Sequence, residues 1–240
     1  MARRKASVPG EPNGPVAAAV GSRPPTSRAD YVHTVLHKEI LDGTLQPGTP
    51  VLQDEIAGRL GVSITPVREA LRRLESTGLV TYQAHYGATV TELSPDALTE
   101  LYQLRAAIEG LAANLAANHI TGDDLTELRA IHAEMRSAQQ AHDTTALAEG
   151  SRRFHATIAH IGGPALLARH LAGLWDSYPV PHTASVWQFE DVAARCVAEH
   201  EKLIEALENG DGAAAQQLME DHIAGVPEDR ETHDLSGPPC

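Results

Sequence analysis

LQDEIAGRLGVSITPVREALRRLESTGLVTYQAHYG occupies residues 52–87, and its periodicity decides the fold. Ile56 and Leu60 give the first part an apolar edge at helical spacing. Gly61-Val62 makes a turn, and Ser63 is a good N-cap for a second helix. Pro66 falls in that helix's first turn, where a missing N–H costs little. Gly78 is placed to end it at C′. Thr81-Tyr82 and Thr89-Val90 read as two short strands around the tip 84–88. The order is helix, turn, helix and then a two-stranded wing.

The second helix has two faces. At about 100° per residue, Val67, Leu71 and Leu74 fall opposite Thr65. Arg68 and Arg72 fall within roughly 60° of Thr65. One face is core, and the other carries hydroxyl and guanidinium groups. An exposed helix of this width fits the major groove of DNA, where Arg donates two parallel hydrogen bonds to guanine. Thr and Ser bond phosphate or a base edge. Glu69 lies near the same face and either pairs with Arg73 or accepts from cytosine.

GVSITPVREALRRLESTGLV resembles the DNA-binding core of GntR-type bacterial regulators, in a match running from about Tyr31 to Val90. The resemblance implies a winged helix-turn-helix that binds operator DNA as a dimer. The positions it assigns to DNA contact are Ser63, Thr65 and Arg68, with His85, Tyr86 and Gly87 at the wing tip. The basic face adds Arg72. Ile64 stands where many members have Arg, and Asp54 where some place a DNA-contacting Arg.

A chain of 240 residues buries two small cores. Its composition is 42% hydrophobic but only 4% aromatic, which favours a mostly helical protein. No apolar run approaches the roughly 18 residues of a membrane span. Arg3-Arg4-Lys5 is not followed by the apolar stretch of a secretory signal. Cys196 and Cys240 are too few for a disulfide framework, so the expected setting is the cytoplasm, with Cys196 a small buried residue. The net charge of −13 argues against indiscriminate nucleic-acid binding. Locally the sign reverses: from Arg59 to Arg73 there are four arginines against one acid, Glu69.

Residues 1–26 are rich in Pro, Gly, Ala and Ser and read as a disordered tail. The winged domain is expected over 27–92, opening with an amphipathic helix over 31–42. Ser94-Pro95-Asp96 then starts a helix. From 93 to 225 six helices in succession predict an all-α antiparallel bundle, and a flexible tail is expected over 226–240.

His155, His200 and His222 fall on three different helices of that bundle. Neutral imidazoles on facing helices suit Zn²⁺ or Ni²⁺. The same spacing also suits hydrogen-bonded core histidines. Arg105 falls on the buried side of its helix and needs an anion, either an effector carboxylate or Glu109 one turn on. Trp175 and Trp187 read as core or dimer-contact residues.

Residues 94–225 resemble the FCD effector domain of the FadR branch of these regulators. The marks are LYQLR at 101–105, Glu109, RFH at 153–155, Glu199-His200 and Asp221-His222-Ile223. The resemblance implies a divalent metal held by His155, His200 and His222 with an acid one turn before the first. That acid position is Ser151, a poor metal ligand, so the ligand set loses a charge. The implied effector site is Arg105, Ser151, His155, His200 and His222. The expected function is a ligand-responsive repressor, a homodimer on an inverted-repeat operator that answers to a small organic or sugar acid. Two other readings compete. A metal-dependent enzyme would need a general base beside the histidines, and no recognisable motif pairs one with them. An architectural DNA-binding protein would carry an inert bundle.

Overall fold

The computed structural model describes residues 27–83, 87–163, 165–177 and 186–233. The expected N-terminal tail, the wing-tip residues His85 and Tyr86, and the last seven residues lie outside the described residues.

The first helix, α1, spans Arg28–Leu41. Ser27 and Asp30 form a capping box, each side chain bonding the other's backbone N–H. Val32, Leu36 and Ile40 recur at helical spacing and are buried. α2 spans Gln53–Leu60 and α3 spans Ile64–Ser76. Gly61 between them takes φ +64°, a left-handed turn that any side chain would strain. α3 buries Val67, Ala70, Leu71 and Leu74 on one face, as the periodicity requires. Truncating a buried Leu such as Leu71 to Ala costs about 2–5 kcal/mol. Arg73 pairs with Asp30 of α1 at 2.6 Å rather than with Glu69.

β2 (Val80–Gln83) and β3 (Gly87–Val90) form the wing, with Thr81 opposite Thr89. A third strand, β1 (Pro50–Val51), pairs antiparallel with the other edge of β3. Two residues carry no readable alternation, so only the sheet reveals that strand.

The bundle begins with α4, Pro95–Ala116, with Ser94 accepting from the Ala97 N–H and Pro95 in the first turn. α5 (Gly122–Gln140) opens on a Thr121–Asp124 capping box, and α6 (Thr144–Gly162) on Asp143. α7 spans Leu167–Ser177. A 3-10 turn at Val186–Gln188 precedes α8, Glu190–Glu208. α9 spans Gly212–Ala224. α4 packs on α6 and α9, and α5 on α6 and α8. Phe154, Leu128, Ile131, Met135, Leu147 and Leu203 fill the space between them. Gly162 sits where α6 crosses α4, and a Cβ there would strike the Ala112 carbonyl oxygen.

The expected flexible tail from 226 needs correction. Val226–Thr232 forms a further helix, α10, with Asp229 and Arg230 buried. Tertiary contacts hold it: Arg195 pairs with Asp229, and His233 stacks on Phe189. Among the described residues no helix is long and apolar enough to cross a membrane.

Candidate metal and effector centre

α6 presents His155, α8 His200 and α9 His222, and all three are at least 93% buried, the least so being His222 at 7% exposure. Nε2 of His200 lies 3.2 Å from Nε2 of His155 and 3.1 Å from Nε2 of His222. Phe154 stacks on the His200 ring at 4.4 Å between centroids and fixes its plane. The other nitrogens of the outer two rings meet carboxylates. Nδ1 of His155 lies 2.6 Å from Oε2 of Glu109. Nδ1 of His222 donates to Oε2 of Glu199 at 2.7 Å.

Those carboxylates hold the imidazole protons on Nδ1 and turn the Nε2 lone pairs inward. Three Nε2 atoms then share at most one proton, that of His200. One of the two close contacts is left as lone pair against lone pair, which a cation between them relieves. An ion about 2.0–2.1 Å from each nitrogen sets neighbouring nitrogens roughly 3.0–3.4 Å apart at bond angles of about 90–110°. The observed separations of 3.1 and 3.2 Å fit such an ion. Cys196, Glu199 and His222 also come within 4.8 Å of one another. Burial pushes the Cys196 thiol up to about 12, with Glu199 adding to it, so a metal there would have to displace a tightly held proton. The three histidines are the better ligand set.

Burial lowers the pKa of His155 and drives that of His200 well below 6.5, so the rings stay neutral as ligands must be. Burial also works to raise the Glu109 carboxyl, but Arg105 and then His155 overcome it and hold it at about 2. Nε of Arg105 donates to Oε1 of Glu109 at 2.9 Å. One buried carboxylate thus ties the arginine of α4 to the first histidine.

A cavity of about 180 Å³ opens beside this cluster. Arg105, Ser151, His155 and His222 line it, while His200 lies behind them. Trp175 and Trp187 line it too, and are pocket residues rather than purely core ones. The guanidinium of Arg105 lies 5.1 Å from the Tyr102 ring and 5.9 Å from that of Trp175, and Arg152 lies 5.5 Å from Trp175. These are cation–π distances. Leu41, the last residue of α1, completes one wall.

Sequence reasoning had Glu109 as a mark of the resemblance and a partner for Arg105 but not for His155, and it missed Glu199 as the partner of His222. The first left a signal, since Glu109 is one helical turn from Arg105. The second left none, because α8 and α9 meet only in the fold. His132, which donates from Nε2 to the Val197 carbonyl at 2.9 Å, was also missed.

At the other end of the chain, Thr65, Arg68 and Arg72 lie exposed on one face of α3, and Ser63 is exposed at its N-cap. Ser63 takes the extended N-cap backbone without a capping hydrogen bond, which leaves its hydroxyl to solvent. Neither Arg68 nor Arg72 forms an ion pair among the described residues. Gly87 opens β3 at φ +81°.

Residues 29–90 match "Bacterial regulatory proteins, gntR family", and residues 100–225 match the FCD domain. The chain belongs to the GntR family. It is a GntR-family transcriptional regulator with an FCD effector domain, and the family is one of regulators rather than enzymes. This GntR regulator is 33% identical over 201 residues to a probable D-xylose utilization operon transcriptional repressor of Paenarthrobacter nicotinovorans, covering 83% of this chain and 87% of that one. It is 32% identical over 144 residues to the HTH-type transcriptional regulator McbR of Escherichia coli K12, covering 60% and 65%. The E. coli McbR/YncC structure shares its fold with a TM-score of 0.72 at 24% identity, covering 87% of this chain and 99% of that one. A putative GntR regulator from Rhodococcus sp. RHA1 does so equally, at 0.72 and 24%, covering 86% and 99%.

Proposed function

We propose that this regulator is a metabolite-responsive repressor that binds an inverted-repeat operator as a homodimer in the cytoplasm. One observation carries the effector reading. The cavity is lined by Arg105, Arg152, Arg230 and two of the clustered histidines, with no Asp or Glu among the described lining residues. Such a wall suits a small carboxylate. His155, His200 and His222 would hold a divalent metal, Zn²⁺ or Ni²⁺. That ion supplies positive charge and open coordination positions to an acidic ligand. Ser151, where the family's acid would stand, lines the same cavity and adds no charge.

Leu41 supports coupling between the two domains. It ends the helix that packs behind α3, and it borders the effector cavity. A ligand that touches Leu41 acts on α1 directly, which links the two sites energetically. Repression is supported by the name of the Paenarthrobacter relative. Dimerisation is supported by α4, where Leu104 and Leu111 are 50% and 45% exposed, with Ile108 and Leu115 half-buried along the same stripe.

Selection of bound DNA from a random pool should yield a palindrome, because a two-fold protein reads two half-sites. Arg68→Ala should then weaken operator binding by about 1–3 kcal/mol at fixed salt and relax specificity at one position. Selection of no palindromic site, or an unchanged affinity for Arg68→Ala, would count against the reading.

A further inference from the structure

Ile64 is the first residue of α3 and is 39% exposed. At about 100° per residue it lies roughly 20° around the helix from Leu71, so periodicity alone would bury it. Leu71 is fully buried, and Ile64 is not. Among the described residues, Leu41, Leu45, Leu60 and Val62 are the partly buried apolar side chains packed against the core of the winged domain, and Ile64 does not join them. On its other side Ile64 lies roughly 40° from Arg68, one turn on, and Arg72 follows after a second turn. Both arginines are exposed, as is Thr65. A large apolar side chain therefore opens the stripe of α3 that carries the guanidinium groups.

The N-terminal residues of a recognition helix are the ones that contact base edges in the major groove. Most groups on those edges are hydrogen-bond donors or acceptors, and the apolar one is the C5-methyl of thymine. An isoleucine pressed on a donor or acceptor strips its water and returns no hydrogen bond, which is costly. Pressed on a methyl group, it leaves water together with its partner, which is favourable. We infer that Ile64 reads a thymine in each operator half-site through contact with its methyl group. The arginines beside it supply the attraction to DNA, which is the same for every sequence as far as it acts on phosphate. Ile64 adds discrimination without charge, at a place where a guanidinium would read guanine instead.

This inference rests on the reading of α3 as the recognition helix, and the test separates the two. Operator DNA is selected from a random pool with the full-length protein. Each thymine of the selected half-site is then replaced in turn by uracil, which lacks only the methyl, and affinity is measured by fluorescence anisotropy. At one thymine the wild type should lose about fourfold per half-site, the effect of one apolar carbon withdrawn from water. Ile64→Ala should lose less than about twofold at the same exchange. It should also bind the thymine operator more weakly with an unchanged salt slope, because no phosphate contact is removed. Ile64→Arg, selected from the same pool, should exchange that thymine for guanine. Arg68→Ala should weaken binding and keep the full methyl effect. Indifference of the wild type to uracil at every thymine overturns the inference, and so does an Ile64→Ala response equal to that of the wild type. Retention of the thymine by Ile64→Arg overturns it as well. In each case a weakened Arg68→Ala leaves α3 standing as the recognition helix. If no operator is selected, or if Arg68→Ala and Ile64→Ala both bind it as the wild type does, the reading of α3 falls and the inference falls with it.

Discussion

Oε2 of Glu109 lies 2.6 Å from Nδ1 of His155, and neither atom has another hydrogen-bond partner among the described residues. The same carboxylate accepts from Arg105 through Oε1. Glu109 is 1% exposed, so its charge matters to both neighbours. Glu109→Gln keeps the shape and removes the charge. It should cost about 3–5 kcal/mol in urea unfolding, because the Arg105 guanidinium is left buried without its counter-ion. Zn²⁺ affinity should fall about 10–100-fold, because the proton on His155 loses its anchor. A folded variant with undiminished Zn²⁺ affinity would reduce Glu109 to a counter-ion for Arg105.

Ser151→Asp restores an acid one turn before His155. Zn²⁺ or Ni²⁺ should then bind about tenfold or more tightly in the absence of any effector. His200→Gln, which removes the central nitrogen of the cluster, should abolish binding. Calorimetry reads both. Equal affinity in the wild type and Ser151→Asp would show that the histidines do not form the ligand set.

Leu41→Ala trims one wall of the cavity, and even at saturating effector it should break communication with DNA. Coupling between two sites in one protein is typically about 1–3 kcal/mol. In the variant, operator affinity with and without effector should converge. Fluorescence anisotropy of a labelled operator measures both states. Full responsiveness in Leu41→Ala would place the coupling elsewhere.

Asp30 predicts an acid-dependent loss of stability in the winged domain. Its hydrogen bonds from Arg73, and then from Ser27, lower its pKa from 3.8 to about 2. A carboxyl depressed in the folded state contributes stability above its unfolded pKa and loses it as pH falls through the folded one. The window here runs from 3.8 down to about 2. Melting temperature should fall more steeply across it in the wild type than in Asp30→Asn. Parallel curves would mean that the Arg73 contact contributes nothing in solution.

The winged domain was legible because its determinants are local. The cap at Ser63, the left-handed Gly61 and the two faces of α3 are set within a few residues of one another. The bundle caps at Ser94, Thr121, Asp143 and Asp211 are equally local. β1 was not legible, since a two-residue strand exists only through its pairing with β3. Nor was α10. A seven-residue helix is unstable alone, and this one depends on Arg195 and Phe189.

The three histidines could be picked out by resemblance, while spacing alone left them as either ligands or core residues. Their convergence to 3.1–3.2 Å is set by how α6, α8 and α9 pack. So are the links from His155 to Glu109 and from His222 to Glu199, which cross between helices far apart in sequence. By itself the sequence determined most of the helices, their caps and the two faces of α3, because backbone hydrogen bonds and side-chain periodicity act over one or two turns. The tertiary structure alone decided the neighbours of each buried charge, the place of Leu41 and Arg230 in the cavity wall, and the fate of the chain after Gly225. Those depend on surfaces that meet only when apolar faces from separate helices are withdrawn from water together.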